Sequence, residues 1–306
     1  MKHYIDLHRD VSIAQMQDLL DLAVDLKRKT KAGVPHPLLQ GKTLAMIFSK
    51  SSTRTRVSFE VGMFQLGGHA LFLSSDDIQI GRGESISDTA QVLSRMTDAI
   101  MIRTFSHQDV EDLARFGSVP VINGLTDDQH PTQALADMLT ILEHKGSLKG
   151  LKMAYLGDGN NMANSLIQAC AKVGMHIDVA SPAAYTCPEF YVRQGEVDAA
   201  VTGSRIRLLV DPLEAARDAD VIYTDTWTSM GQEEEKAARV EIFRPYQVNK
   251  ELMALAKPDV MFLHCLPAYR GYEVTEDVID SPCSFVFDEA ENRLHAHKAI
   301  LVHCLC

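Results

Sequence analysis

Residues 49–56 read Ser-Lys-Ser-Ser-Thr-Arg-Thr-Arg, between the apolar run Leu44–Phe48 and the amphipathic stretch Val57–Leu66. This order sets the hydroxyls of Ser52, Thr53 and Thr55 and the guanidiniums of Arg54 and Arg56 at a strand-to-helix turn. There the first backbone N–H groups have no partner within the helix, and its dipole is positive. Such a turn can wrap a phosphate dianion, with arginine adding bidentate charge-assisted bonds. Each hydrogen bond to a charged group contributes roughly 1.5–3 kcal/mol net, so four or five hold a small phosphorylated metabolite. Alone, the same residues would also serve a well-capped helix with a solvated basic turn.

The other unusual clusters all follow strand-like runs. Arg103 and His107 come after Ala99–Ile102, where an arginine also suits a surface ion pair. His130-Pro131-Thr132-Gln133 opens a helix with proline near its first position, where a missing N–H costs nothing. It can cap a helix without a ligand, but its histidine and glutamine, one turn apart, can also hold a carbonyl oxygen and an amino group. Gly157-Asp158-Gly159-Asn160-Asn161 follows Lys152–Leu156 and invites a dinucleotide reading. Against it, position 162 is Met rather than a third glycine, and no acidic residue closes the run Ile177–Ala180. Asn161 is instead a candidate for a substrate carboxylate or amine, or a plain asparagine turn. Asp225-Thr226-Trp227-Thr228-Ser229-Met230-Gly231 follows Val221–Thr224 and suits a closing loop that contacts an amino acid. His264-Cys265-Leu266-Pro267 follows Val260–Leu263 and suggests a thiol nucleophile. Neighbours in an extended segment point to opposite sides, however, and no spaced set of Cys and His accompanies them for a metal. Cys265 therefore reads as a non-nucleophilic wall of the site.

These clusters need a scaffold. At 306 residues the chain suggests two domains of about 150 each. Its net charge of −11 excludes nonspecific nucleic-acid binding, which needs a basic face. No apolar run approaches the roughly 18 residues that span a bilayer. The first ten residues carry charge where an export signal would be apolar, and the six cysteines form no disulfide framework, so a cytoplasmic location is expected. Strand-like runs at Leu44–Phe48, Ala70–Leu73, Ala99–Ile102, Pro120–Ile122, Lys152–Leu156, His176–Ala180, Val221–Thr224, Val260–Leu263 and Ser284–Phe287 alternate with helical stretches. That alternation predicts an α/β protein with two doubly wound parallel sheets. Residues 1–146 are expected to form one domain, joined by a C-terminal helix over 291–306 that packs back on it, and 147–290 the other. Lys145–Gly150 is the expected hinge, and the active site is expected in the cleft, at the carboxyl ends of strands.

Taken in order, Ser52-Thr53-Arg54-Thr55, Arg103, His130-Pro131-Thr132-Gln133, Asp225–Gly231 and His264–Pro267 resemble the carbamoyltransferases, over essentially the whole chain. The first three blocks resemble the carbamoyl phosphate site shared by the aspartate and ornithine enzymes. Ser229-Met230-Gly231, His-Cys-Leu-Pro, Asn161 and Phe287–Arg293 resemble the ornithine branch. The resemblance implies transfer of a carbamoyl group from carbamoyl phosphate to the δ-amine of L-ornithine, giving citrulline and phosphate, as in arginine biosynthesis. It implies that Ser52, Thr53, Arg54, Thr55, Gln79, Arg103, His130, Pro131, Thr132, Gln133, Cys265, Leu266 and Arg293 bind carbamoyl phosphate, Gln79 reaching a neighbouring subunit. Asn161, Asp225, Ser229 and Met230 would bind ornithine, and Arg54, Arg103, His130, Asp225 and Cys265 would act in the chemistry. It further implies a homotrimer or multiple of trimers, with no cofactor, no metal, and neither nucleic-acid nor membrane partners.

Overall fold

A computed structural model describes residues 2–228 and 233–306, so the expectations for Ser229 and Met230 fall outside the described residues. Its strands are β1 (Thr43–Phe48), β2 (His69–Ser74), β3 (Ala99–Arg103), β4 (Val121–Leu125), β5 (Lys152–Leu156), β6 (His176–Ala180), β7 (Ile206–Leu209), β8 (Val221–Thr224) and β9 (Met261–Leu263). The helices that bear on function are α1 (Ile13–Lys31), α2 (Thr53–Gln65), α3 (Pro131–Lys145), α4 (Asn161–Val173), α5 (Lys236–Phe243) and α6 (Val286–Leu305). Strands such as β3 and β8 are buried along their whole length, as expected of parallel strands covered on both faces.

Among the described residues every strand pair is parallel, and two sheets have orders β2-β1-β3-β4 and β7-β6-β5-β8-β9. In the first sheet the order reverses between β1 and β3; in the second, between β5 and β8. Such reversals open a crevice beyond the carboxyl ends of the two strands. The chain leaves β1 into Ser52–Thr55 and ends β3 at Arg103; it leaves β5 into Gly157–Asn161 and β8 into Asp225. Topology alone thus brings the clusters to the two places where such a fold binds ligands.

Internal contacts divide the chain into one unit of Met1–Ala136 with Glu291–Cys306 and a second of Asp137–Ala290. The first is centred on Ala45, Ile47, Ile100, Ile102 and Val121, the second on Ala154, Leu156, Ile222, Phe243 and Phe262. One strand expectation fails and one strand, β7, was not expected. Ser284–Phe287 makes one bridge, Ser284 with Phe262, before α6 starts at Val286. β7 was missed because, half-exposed at a sheet edge, it mixes Arg207 with aliphatics, which cuts its apolar run to Leu208–Val210. No helix among the described residues is long and apolar enough to cross a membrane.

Candidate functional site

In the first unit the phosphate-type turn is built around Ser52. As N-cap of α2 its Oγ accepts from the Thr55 N–H at 3.2 Å and donates to Thr55 Oγ1 at 3.0 Å. Thr55, fully buried, also receives Arg293 Nη2 from α6 at 2.6 Å. Its oxygen is thus occupied by two donors, and its own O–H is left to donate. The carbonyl of Arg103 accepts from the N–H groups of Ser49 and Lys50, which ties the turn to β3. Among the described residues the buried Arg54 Nε has no hydrogen-bond partner, a costly state that an anion would relieve.

His130 lies at the mouth of α3, 4 % exposed. Burial holds its pKa well below the usual histidine value, and Arg293, Arg103, His297 and Arg54 push the same way. A neutral imidazole among three guanidiniums leaves a positive balance of charge here. Pro131, Thr132 and Gln133 are buried behind it, Thr132 Oγ1 lying 3.3 Å from His130 Nδ1. Gln79, exposed in the turn Gln79–Arg82, is not among the residues brought together here.

Two residues that sequence reasoning missed lie behind this turn. Ser58 donates to the Arg54 carbonyl at 2.6 Å, and His297 Nδ1 lies 2.8 Å from Ser58 Oγ. The His297 ring stacks on Phe59 with centroids 4.0 Å apart, and burial keeps it neutral. The available signal was spacing: Ser58 falls one turn after Arg54, and His297 one turn after Arg293.

The second unit gathers Asp225, Asn160 and Cys265. Asp225 Oδ1 accepts from Cys265 Sγ at 3.2 Å and from the Thr226 N–H at 2.8 Å; Oδ2 accepts from Asn160 Nδ2 at 2.9 Å. Asn160 also caps α4 and receives the Tyr155 hydroxyl. The asparagine bonded to Asp225 is thus Asn160, which the motif contained but the sequence reading passed over; Asn161 is the next residue, half-buried in the first turn of α4. Burial, with Asp225 and Glu289 nearby, pushes the Cys265 thiol well up, which disfavours the thiolate a nucleophile needs.

The two glycines of the dinucleotide-like turn have structural reasons instead: Gly157 holds a φ of +143°, and Gly159 is required by packing. A Cβ on Gly159 would lie 2.3 Å from the Cys187 nitrogen. Beside it, Asp158 pairs with the buried Arg239 of α5, whose Nε donates to the Trp227 carbonyl at 2.5 Å. Burial raises Asp158 to about 6.

Asp225, His264 and Cys265 place one ligand atom each within 4.8 Å of one another, a spacing that could hold a metal. Both ring nitrogens of His264 are already engaged, Nδ1 with the Leu266 N–H at 2.9 Å and Nε2 with Glu273 at 3.2 Å. An ion would have to break these bonds and the thiol–Asp225 bond. Leu266 itself has φ of +57°, a left-handed conformation that costs a residue with Cβ roughly 1–2 kcal/mol.

Comparison with known proteins agrees with this division of labour. Residues 2–143 match the family described as aspartate/ornithine carbamoyltransferase, carbamoyl-P binding domain, and residues 149–304 match its Asp/Orn binding domain. The chain is 61% identical to the ornithine carbamoyltransferase of Anoxybacillus flavithermus, over 97% of this chain and 94% of that one. It is 58% identical to the anabolic ornithine carbamoyltransferase of Pyrococcus furiosus, over 96% and 93% of the two chains. Among solved structures, ornithine carbamoyltransferase from Pyrococcus furiosus superposes with a TM-score of 0.95 at 57% identity, covering 98% of this chain and 96% of that one. The enzyme from Giardia lamblia does so with 0.90 at 34% identity, covering 99% and 98%.

Proposed function

We propose a reaction from one premise: the chain belongs to the aspartate/ornithine carbamoyltransferase family. It is an ornithine carbamoyltransferase, moving the carbamoyl group of carbamoyl phosphate to the δ-amine of L-ornithine to give citrulline and phosphate. The observation that carries this reading is the neutral, buried His130 surrounded by Arg54, Arg103 and Arg293. That arrangement suits a ligand that is dianionic at one end and a polar carbonyl at the other.

In this reading Ser52, Thr53, Thr55, Arg54 and Arg103 hold the phosphate, with Arg293 bracing Thr55. His130 and Gln133, with Pro131 and Thr132 as their frame, take the carbamoyl oxygen and amide. Charge develops on the carbonyl oxygen as the amine adds and on the phosphate as it leaves. Donors fixed beforehand stabilise both, and losing one oxyanion-type donor typically costs about 2.7–4 kcal/mol of barrier. His130 serves as a neutral donor, so it keeps its proton when phosphate departs.

The acceptor must attack as a free amine. An alkylamine of pKa about 10.4 near pH 7.4 requires roughly 4 kcal/mol to be neutral. Asp225 and the Cys265 thiol orient that amine, with Asn161, Ser229 and Met230 assigned to the amino-acid end, and Leu266 lines the reacting end. A thiol held protonated supports direct transfer without a covalent enzyme intermediate. The enzyme acts as a homotrimer in the cytoplasm, with Gln79 contributing to a neighbouring subunit.

The test is phosphate release from carbamoyl phosphate with ornithine, aspartate, N-acetylornithine and putrescine offered in parallel. Ornithine-dependent release matched by citrulline is the expected result. Release with another amine would retain the phosphate site and overturn the assignment of Asp225.

A further inference from the structure

Glu273 belongs to none of the motifs, yet it is 1 % exposed and its Oε1 gathers two separate donors. One is His264 Nε2 at 3.2 Å, the other the Tyr269 backbone N–H at 2.6 Å. The Glu273 carbonyl in turn accepts from the Val248 N–H at 2.9 Å, and Gly271 N–H closes the turn onto the Val274 carbonyl at 2.8 Å. One carboxyl oxygen on an anchored turn therefore fastens both ends of residues 264–269.

Within that segment Leu266 holds its φ of +57°. Its N–H donates to His264 Nδ1 at 2.9 Å. An imidazole that accepts at Nδ1 carries its proton on Nε2, and Glu273 is the acceptor for that proton. The two bonds of His264 depend on each other through the tautomer. A left-handed leucine persists only where its surroundings over-determine it, and here they do so through this chain of bonds. Cys265 lies between the two held residues, so the direction of its thiol toward Asp225 Oδ1, at 3.2 Å, is set on both sides.

We propose that Glu273 is a positioning residue for the acceptor amine, acting through His264 to hold Leu266 left-handed and Cys265 facing Asp225. This rests on the reading of Asp225 and Cys265 as the acceptor site. Without the Glu273 oxygen, the His264 ring is free to turn or change tautomer, Leu266 relaxes, and Cys265 swings from its place. Glutamine keeps a carbonyl oxygen that accepts from both donors; alanine keeps nothing.

The experiment compares wild type, Glu273→Gln and Glu273→Ala in four measurements: steady-state kinetics with ornithine, carbamoyl phosphate binding alone, melting temperature, and crystal structure. Alanine is expected to lower kcat with ornithine on the order of 10²-fold, the scale of a misplacement of about 1 Å. The phosphate contacts assigned to Ser52–Thr55 and Arg103 lie in the other unit, so carbamoyl phosphate binding weakens far less than turnover falls, and glutamine restores most of the rate. The alanine variant's crystal structure shows Leu266 outside the left-handed region. Leu266 unchanged in that structure, or glutamine as damaging as alanine, would overturn the proposal. So would a parallel loss of melting temperature and binding of both substrates, which marks a merely structural role. If wild type makes no citrulline from ornithine, the functional reading fails, while the Leu266 comparison still decides what Glu273 does.

Discussion

The thiol of Cys265 and the hydroxyl of Ser58 show how much one hydrogen bond can govern. Cys265→Ser keeps a donor but shortens its reach and raises its polarity, so the bond to Asp225 is remade off-line. A change worth about 1.4 kcal/mol corresponds to a roughly tenfold loss in kcat/KM for ornithine; steady-state kinetics would show it, and an unchanged value would remove Cys265 from the chemistry. Ser58→Ala acts on the other substrate. It strips His297 Nδ1 of the Ser58 hydroxyl in a fully buried setting and removes a side-chain bond to the Arg54 carbonyl. A buried polar group left unsatisfied costs about 1–3 kcal/mol. Calorimetry should find carbamoyl phosphate bound more weakly, with the acceptor's own KM unchanged; Ser58→Thr, which keeps the hydroxyl, should bind as wild type does.

At the scale of elements, the informative pair is Asp158 after β5 and Arg239 on α5. Together they tie the end of β5 to the Trp227 carbonyl just past β8. The pair needs an ionised carboxylate, and burial has raised Asp158 to about 6. Two consequences have opposite signs. Protonation below about 6 weakens the tie, so KM for ornithine should rise as pH falls through that value. Yet a carboxyl whose folded pKa exceeds the ordinary 3.8 favours the folded state most below 3.8, and that contribution is lost as pH rises through about 6. Acidification therefore does not destabilise the fold through this group. Kinetics and melting temperature measured from pH 5 to 8 should diverge; if both fall together below 6, unfolding rather than Asp158 explains the loss.

The elements also show what the sequence could disclose. Runs such as Ala99–Ile102 and Val221–Thr224 were legible because strands buried on both faces must be continuously apolar. β7 was not, because an edge strand with Arg207 can mix polar and apolar residues freely. The start of α6 was misread since Phe285 and Val286 look like strand residues, while the partners that bury Val286 are remote in sequence. The candidate site was legible wherever a motif puts several polar side chains in one short stretch, as at Ser52–Thr55. It was illegible where function is borrowed at long range. Asn160 to Asp225, Ser58 to His297 and His264 to Glu273 are pairs whose meaning appears only when the chain folds them together.

The whole molecule carries a contradiction that assembly would resolve. A chain of net charge −11 is well suited to solubility. Even so, α2 and β2 leave Val57 at 52 %, Phe64 at 80 % and Phe72 at 37 % exposed, with Arg56 stacked 3.7 Å over the Phe72 ring. Exposed apolar side chains on neighbouring elements mark surfaces that other chains cover. β2 is also an edge strand, open on one side to further chain. These residues flank the turn assigned to phosphate, as Arg56 and Val57 follow Thr55 directly, so a chain covering them would lie beside that turn. The expected assembly is a trimer. Sedimentation velocity at micromolar chain concentration should give one species of three chains. Val57→Glu combined with Phe72→Glu places two carboxylates in the covered surface and should shift the species toward monomer. Activity per chain should then fall on dilution and recover on concentration, while wild type shows neither change. A wild-type monomer with full, dilution-independent turnover would mean that one chain is catalytically sufficient and that Gln79 has no role in a neighbour's site.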